Sequence, residues 1–568
     1  MKPYWQVQKP DDQSIEKLYD GLNCHPVIAA ILANRNILSP EDASNFLNPS
    51  LTHIRPPFVM KDMDKAVDRI ISAISNKEKI LIFGDYDVDG ITATSILIDF
   101  LQYAGAGVSY YIPHRILEGY GLQPENINHA IQNDINLIIT VDCGSSSHSA
   151  VISAQNNGID VIITDHHHIG NEIPNAFAVI NPKRLDCTSG LENLAGVGVA
   201  FCLIISIRKK LRDINFWKDK PEPNLKNFLD AVAIGTIADM VPLIYENRIL
   251  AKIGLEIINS NPRCGIKALI ETSSLKNETI TATDVAFKIA PRLNAAGRID
   301  HAAQAVTLLT TRDPQLAAKI ANSLTKFNAL RQEIEKEIVD EIFKYLDNNP
   351  NLLKKKSIVL SNDKWNEGVI GIIASRVMER YYKPVILIST KGEIGKGSGR
   401  SIDNFNIYEG LNECREYLDA FGGHSKACGL KIKKEKLNNF IEKFENVVIE
   451  KTSNSDFIKI IPIDYELDFN KISDELIDEL ELLMPFGSGN PEPIFMARNV
   501  QVSSSSIVGK NHRKMLLTQD KKNIFINAIH FNVNQSSISD NFDKIAFKLN
   551  WNRWNGKKTA QIVIYLDK

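Results

Sequence analysis

The stretch Lys79–Gly90, KILIFGDYDVDG, constrains this chain more than any other. An apolar run, Ile80–Phe83, stops at a glycine, and three acids follow at alternate positions: Asp85, Asp87 and Asp89. A short apolar run bounded by glycine predicts a buried strand in a parallel sheet. The acids then fall just beyond its carboxyl end, where open α/β sheets place their chemistry. Three acids in one tight loop repel one another and call for a cation among them. Calcium is one candidate, because D-x-D-x-D-G opens an EF-hand loop. That loop needs a glutamate at its twelfth position, here Ile96, and a helix rather than a strand before it. A solvated acidic turn is the plain alternative.

The pattern recurs, and the recurrence decides between them. Asn136–Val141 (NLIITV) is a second apolar run and ends in Asp142; Asp160–Thr164 (DVIIT) ends in Asp165-His166-His167-His168. A strand over Val108–Ile112 leads into PHRILEGYGL, which puts Arg115 in a loop at the same edge of the sheet. One loop aspartate is usually a cap and one buried histidine usually a satisfied core group. Several strands delivering carboxylates and imidazoles at one end instead describe a single crevice. Oxygen-rich sites with an imidazole suit Mn²⁺ or Mg²⁺, and several carboxylates able to bridge are what two-metal phosphoryl chemistry requires. The residues alone point to a metal-dependent hydrolase of a phosphate ester or anhydride.

The chain has 568 residues, room for three or four domains, with the 44% hydrophobic and 24% charged content of a globular protein. A formal net charge of −2 provides no global basic field, so any nucleic-acid binding must be local. Seven scattered cysteines without a C-x-x-C pair predict free thiols in a reducing compartment and argue against a zinc ribbon. No apolar run approaches the ~20 residues of a membrane span, and the first residues lack a signal-peptide core. The expectation is a cytoplasmic protein that does not engage a membrane.

Residues 1–60 read as a helical lead-in, with Ser39-Pro40 starting one helix. Further on, Arg292 and Arg298 flank Asn294-Ala295-Ala296-Gly297, read as a loop whose guanidinium forks match phosphate oxygens. The longest helical signal follows Asp313-Pro314, with apolar residues at Leu316, Ile320, Leu324, Phe327, Leu330, Ile334, Ile338 and Ile342. It reads as a strut between two lobes. In the second lobe GKGSGRS (Gly395–Ser401) reads as a glycine loop offering Lys396, Ser398 and Arg400 to a phosphate backbone, with Gly422, Gly423 and His424 as a second such loop. The last part has five short strand signals, which fit an OB-type barrel. Residues 501–568 hold eleven Lys or Arg against four Asp or Glu, and Trp551, Arg553 and Trp554 interleave aromatic and basic groups as single-strand binders do. A solvated basic face over core tryptophans is the alternative.

GDYDVDG, VDCG and TDHH together resemble the DHH phosphoesterase superfamily, and AIGTIADMVPL (Ala233–Leu243) resembles its fourth motif. RLNAAGRI, NEGVIGIIASR, GKGSGRS, FGGHSKACG and PFGSGNPEP extend the likeness over nearly the whole chain, in the form similar to the bacterial single-strand-specific 5′→3′ exonucleases of that superfamily. The resemblance implies that Asp87, Asp89, Asp142, His166 and Asp239 ligate Mn²⁺ or Mg²⁺, as two ions. It places Asp85 and His167 in the same cluster and has Asp165 orient the imidazoles, while His168 lies outside the pattern and reads as structural. It also implies an α/β fold with a parallel-sheet DHH catalytic domain (61–311), a long connecting helix (312–350), a smaller α/β DHHA1 substrate-binding domain (351–452) and a C-terminal OB-type β-barrel (458–568). The implied substrate is single-stranded DNA with a 5′ end, degraded to 5′-mononucleotides in repair and recombination, with a helicase and a single-strand-binding protein as candidate partners. Arg115 and Arg400 are expected to seat the terminal phosphates. The alternatives are a DHH phosphodiesterase for short oligonucleotides or cyclic dinucleotides, a manganese pyrophosphatase, and a non-catalytic single-strand-binding scaffold.

Overall fold

The computed structural model describes residues 3–115, 117–170, 172–275, 278–520, 524–533, 539–554 and 556–567. The chain opens with β1 (Tyr4–Val7) and three short helices, Asp12–Leu22, Pro26–Asn34 and Pro40–Leu47. Ser39 caps the third by accepting from the Asp42 N–H.

Five parallel strands then form the first sheet: β2 (Lys79–Gly84), β3 (Gly107–Tyr111), β4 (Leu137–Val141), β5 (Asp160–Thr164) and β6 (Ala178–Ile180), in the order β3-β2-β4-β5-β6. The apolar runs bury both faces of β2, β4 and β5, as a parallel sheet flanked by helices requires. Helices Val88–Tyr103, Gly196–Asp213 and Leu229–Ala238 pack on one side, and Pro124–Gln132 and His148–Asn156 on the other. Register does the rest. Gly84 pairs with Val141 and Val141 with Thr164, so the next residues, Asp85, Asp142 and Asp165, leave the sheet side by side.

A 35-residue helix, Pro314–Asn348, crosses to the second lobe; Asp313 caps it by accepting from the Gln315 N–H, and its length is about 50 Å. Its buried face differs from the expected stripe. Leu316 and Leu330 are exposed, and the buried side runs Ala317, Ala321, Leu324, Asn328, Arg331, Glu335, Ile338, Ile342 and Leu346. Each end of the strut is apolar because it lies in one lobe's core. Its middle is polar, and there Glu335 pairs with Arg331 (3.1 Å) and with Arg376 of the second lobe (2.6 Å).

That lobe holds β7 (Ile358–Asn362), β8 (Val385–Ser389), β9 (Ile394–Arg400), β10 (Ala420–Gly423) and β11 (Ala427–Lys433), in the order β10-β11-β9-β8-β7. Here two readings need correction. GKGSGRS is not a loop but most of β9, and its alternate glycines face Ile388, Leu430 and Ile407, where a Cβ would not fit. Gly422 and Gly423 likewise belong to a strand, β10, which pairs antiparallel with β11.

The last unit contains β12 (Ile460–Ile463), β13 (Tyr465–Glu466), β14 (Phe495–Val508), β15 (His512–Gln519), β16 (Ile526–His530), β17 (Asn541–Trp554) and β18 (Lys557–Asp567). The order β14-β15-β16-β18-β17, closed by β14–β17 pairing, is a five-stranded barrel. The N-terminal segment joins it: β1 pairs with β12, and Leu18, Val27, Ile28 and Ile31 share a core with Phe469, Leu480, Phe495 and Phe547. No helix among the described residues is long and apolar enough to cross a membrane.

Candidate metal centre and nucleic-acid cleft

Asp87 caps the Val88–Tyr103 helix, its Oδ1 accepting from the N–H groups of Asp89 (2.9 Å) and Gly90 (3.1 Å). This turns the strand–acid–helix sequence away from an EF-hand and aims Asp89 back across the sheet edge. The Asp89 carboxylate accepts from the backbone N–H of Gly196 (2.6 Å) and Val197 (2.8 Å), the first residues of the next helix. A helix N-terminus of unsatisfied N–H groups favours an anion. Residue 196 must be glycine, because a Cβ there would lie 2.6 Å from Asp142 Oδ1. Asp142 itself sits at φ +60°, in a left-handed conformation that few non-glycine residues adopt. Asp239 closes the group from the carboxyl end of the Leu229–Ala238 helix.

Around these acids His166 Nε2 lies 3.2 Å from Asp142, 3.5 Å from Asp239 and 3.8 Å from Asp89. Three overlapping sets, Asp85/Asp87/Asp142, Asp142/His166/His167 and Asp89/His166/Asp239, each bring their ligand atoms within 4.8 Å of one another. The buried atoms Asp85 Oδ1, Asp142 Oδ1 and both ring nitrogens of His166 have no hydrogen-bond partner. Buried polar atoms are normally satisfied, so lone pairs converging without donors fit a divalent cation. Asp142 and His166 each belong to two of the sets, so the three sets form one continuous cluster.

Electrostatics agree. Burial pushes Asp85 up to about 8 and Asp89 to about 7, and the charge of Asp87 pushes both the same way. Burial, then the neighbouring acids Asp89 and Asp87, raise Asp142 and Asp239 well above the usual carboxylate range. Burial holds His166 down to about 3, so it is a neutral imidazole with a lone pair to offer. His167 is the opposite. Burial would lower it, but the hydrogen bond from Nδ1 to Asp165 (2.8 Å) and that carboxylate's charge hold it up at about 9. Asp165 also accepts from the N–H groups of Ser145, His166 and His167; its burial is outweighed by the His167 side-chain hydrogen bond and charge, then by the His167 N–H, which hold it well below the usual carboxylate range.

The centre opens into a cleft of about 1260 Å³ between the lobes, lined by Tyr86, Arg115, His167, Lys396, Ser398 and the Gly422-Gly423-His424 strand end, among others. The His424 ring stacks 6.4 Å from His167 and lies 5.4 Å from His168, which is also in the cleft wall. Arg115 lies over the Tyr86 ring at 4.7 Å. Burial pushes Arg298 down to about 9, and Arg115, Arg331 and Arg400 repel it further. Arg331 already pairs with Glu335, but among the described residues Arg115, Arg298 and Arg400 form no ion pair, and such a group of guanidiniums calls for an anion.

Other expected contacts are placed elsewhere. Arg292 and Asn294 lie in a helix, Ala290–Ile299, and not in a loop. Arg292 bonds Thr325 Oγ1 of the strut (3.3 Å) and the Lys288 carbonyl, away from the cleft; Asn294 Oδ1 is buried without a partner. Lys396 lines the cleft but pairs with Glu367 (2.8 Å). In the barrel, Trp551 Nε1 donates to Asp478 (2.8 Å), Lys558 covers its ring at 4.1 Å, and Arg553 forms a two-pronged pair with Glu481. Trp551 and Arg553 are thus tied to an acidic helix, Asp474–Leu482, which precedes the basic stretch 501–568. The Trp554 side chain lies outside the described residues.

Sequence reasoning missed Tyr120, whose hydroxyl lies 3.1 Å from the Asp142 carbonyl oxygen, to which it donates, and 3.0 Å from His167 Nδ1. It missed Gly196 and Val197 as well. The glycines of GYGL and LAGVGVA were the only local signal for either.

Comparison with known proteins places this architecture. Residues 79–236 match the DHH family, N-terminal domain, residues 354–450 the DHHA1 domain and residues 463–565 the RecJ OB domain. The chain is 36% identical over 568 residues to the single-stranded-DNA-specific exonuclease RecJ of Bacillus subtilis, covering 99% of this chain and 70% of that protein. To the RecJ of Haemophilus influenzae it is 34% identical, covering 96% of each. The crystal structure of RecJ from Thermus thermophilus in complex with Mn²⁺ superposes with a TM-score of 0.84 at 28% identity, over 100% of this chain and 79% of that one. With its acids and imidazoles gathered at one sheet edge, and three domain matches in RecJ order, the chain belongs to the RecJ family of the DHH superfamily.

Proposed function

We propose that this chain is a metal-dependent exonuclease that degrades single-stranded DNA in repair and recombination, entering at a 5′ end and releasing 5′-mononucleotides. The observation that carries this reading is the set of buried, partnerless carboxylate and imidazole atoms beside a cleft lined by Arg115 and His167 of the catalytic lobe and by Lys396, Ser398 and His424 of the second. Asp87, Asp89, Asp142, His166 and Asp239 would hold Mn²⁺ or Mg²⁺, which activates water and neutralises charge as the phosphodiester is displaced.

The chain's own groups do the remaining work. Asp165 fixes the His167 ring, and because Nδ1 is taken by Asp165 and Tyr120, Nε2 is left for a substrate phosphate. Arg115, Arg298 and Arg400 seat the terminal phosphates, with Ser398 held by Arg400 at 3.2 Å. A cleft between the lobes too narrow for a duplex would account for single-strand selectivity. Cytoplasmic work suits the seven cysteines, all free. A helicase and a single-strand-binding protein would supply the strand.

The test is digestion of single-stranded DNA labelled at either end, with Mn²⁺, Mg²⁺ or chelator. Early release of the 5′ label as mononucleotide, only with metal, is expected; release from the 3′ end first would overturn the polarity. Asp89→Ala should abolish hydrolysis while leaving DNA binding largely intact, and residual Mn²⁺-dependent cleavage would remove Asp89 from the ligands.

A further inference from the structure

PFGSGNPEP, the motif at Pro485–Pro493, has no role in the chemistry above, yet it touches the loop that carries a metal ligand. Asp239 is followed by Met240, at φ +60°, and then by Val241-Pro242-Leu243. The Leu243 N–H donates to the Ser488 carbonyl at 2.7 Å. Gly489, at φ +71°, lies so close to Pro242 that a Cβ would meet its Cβ at 2.9 Å and its Cα at 3.2 Å. Gly487 approaches Leu243 in the same way, a Cβ there meeting Leu243 Cδ1 at 2.8 Å.

This turn is rigid. Asn490 is fully buried and donates from Nδ2 to the carbonyls of Leu483 and Pro485, both at 2.8 Å, while its N–H and C=O pair with Gly487. From the other side the buried Asn247 donates to the Pro242 carbonyl (3.0 Å) and to that of Asn193 (2.5 Å). Asn193 lies three residues before Gly196, whose N–H holds Asp89. One loop therefore connects the C-terminal turn to two of the acids.

We propose that the Pro485–Asn490 turn is a brace for the metal centre, so that Gly489 and Ser488 are positioning residues for Asp239. The divalent-ion affinity of the catalytic lobe then depends on how the C-terminal unit is seated. This rests on the reading that Asp239 ligates metal. Groups that orient ligands without touching the ion commonly change metal affinity about 10- to 100-fold when altered.

The experiment uses the full chain without DNA and reads Mn²⁺ binding directly, from the electron paramagnetic resonance signal of free Mn²⁺, beside thermal melts. Gly489→Ala is compared with Gly509→Ala, a second positive-φ glycine (+62°) in the β14–β15 hairpin of the same unit. Both should lower Tm, but only Gly489→Ala should weaken Mn²⁺ binding, by about tenfold. Wild-type Mn²⁺ affinity in folded Gly489→Ala, or equal weakening in both variants, would overturn the brace. Gly487→Ala, which presses only the end of Leu243, should shift affinity in the same direction by less. Should Gly489→Ala not fold, an unchanged affinity in Gly487→Ala overturns the proposal instead. Asp239→Asn is the reference. If it left Mn²⁺ binding intact, the ligand assignment would fail first, and the brace with it.

Discussion

Replacing Arg248 by methionine should loosen the seam between the catalytic lobe and the unit formed by the two ends of the chain. The side chain is 1% exposed, among the largest fully buried groups in the protein. Its guanidinium donates to four main-chain carbonyls: Phe46 (2.6 Å), Leu482 (3.0 Å), Leu483 (2.9 Å) and Met484 (2.9 Å). It also covers the Phe46 ring at 3.8 Å. Hydrogen bonds from a charged donor are worth ~1.5–3 kcal/mol each, so four taken singly would total ~6–12 kcal/mol. Two effects reduce that. Burial, with Arg35 nearby, already pushes Arg248 down to about 9, so methionine relieves a cost of burying charge. Carbonyls at the rim of the seam can also take water. A net loss of ~3–5 kcal/mol is expected.

Hydrogen exchange reads this locally, where a whole-protein melt of several units would not. The amides of Leu483 and Met484 should exchange roughly 140- to 3,700-fold faster, at about 1.4 kcal/mol per tenfold, while Ile139 in β4 stays as it was. Arg248→Lys keeps the charge but not the fork and should fall between. Exchange within fivefold of wild type at the seam would refute the reasoning.

Charge reversal at Arg115 in the cleft wall, or at Arg400 behind Ser398, should raise KM for 5′-phosphorylated single strands at least tenfold; an unchanged KM would end their role in seating the phosphates. Trp551→Ala should weaken single-strand binding less than twofold at fixed salt, because the ring is tied to Asp478 and Lys558. A loss of fivefold or more, in the range of a stacked base at ~1–3 kcal/mol, would restore it as a stacking platform. In metal-free protein Asp85 and Asp89 sit at about 8 and about 7, above their unfolded values. The stability they contribute is therefore complete below about pH 4 and lost as pH rises through those values. Mn²⁺ takes the place of the protons, so it should raise Tm more at pH 8 than at pH 6; calorimetric shifts equal at both would contradict this.

What could be read in advance was local. Apolar runs of strand length announced β2, β4 and β5, and because such runs stop where the sheet stops, the acids after them were already at its edge. The strut was visible from its period and its Asp313 cap. Where a residue's role depended on a distant partner, local pattern was silent or misleading. Arg292 and Arg298 flank small residues that suggested a loop, yet small residues also let a helix approach another closely, and Arg292 turns to the strut. GKGSGRS has the composition of a turn, but its glycines make room for Ile388, Leu430 and Ile407 across a sheet. The polar middle of the strut is explained only by Arg376 on the other lobe, and the basic excess of the barrel is offset by acids that precede it in sequence.

The pairing of β1 with β12 has a consequence for synthesis. About 410 residues separate Leu47 from Ile460, and at ~5–20 residues per second a ribosome needs roughly 20–80 s to cover them. Throughout that interval the helix Pro26–Asn34, buried over residues 27–33 in the finished protein, has only the two other N-terminal helices to lie against, and the side it shares with Phe469, Leu480 and Phe495 stays open. The nascent chain therefore carries a half-covered apolar helix near its leading end until its last hundred residues emerge, which makes that open side the place for a chaperone to hold it.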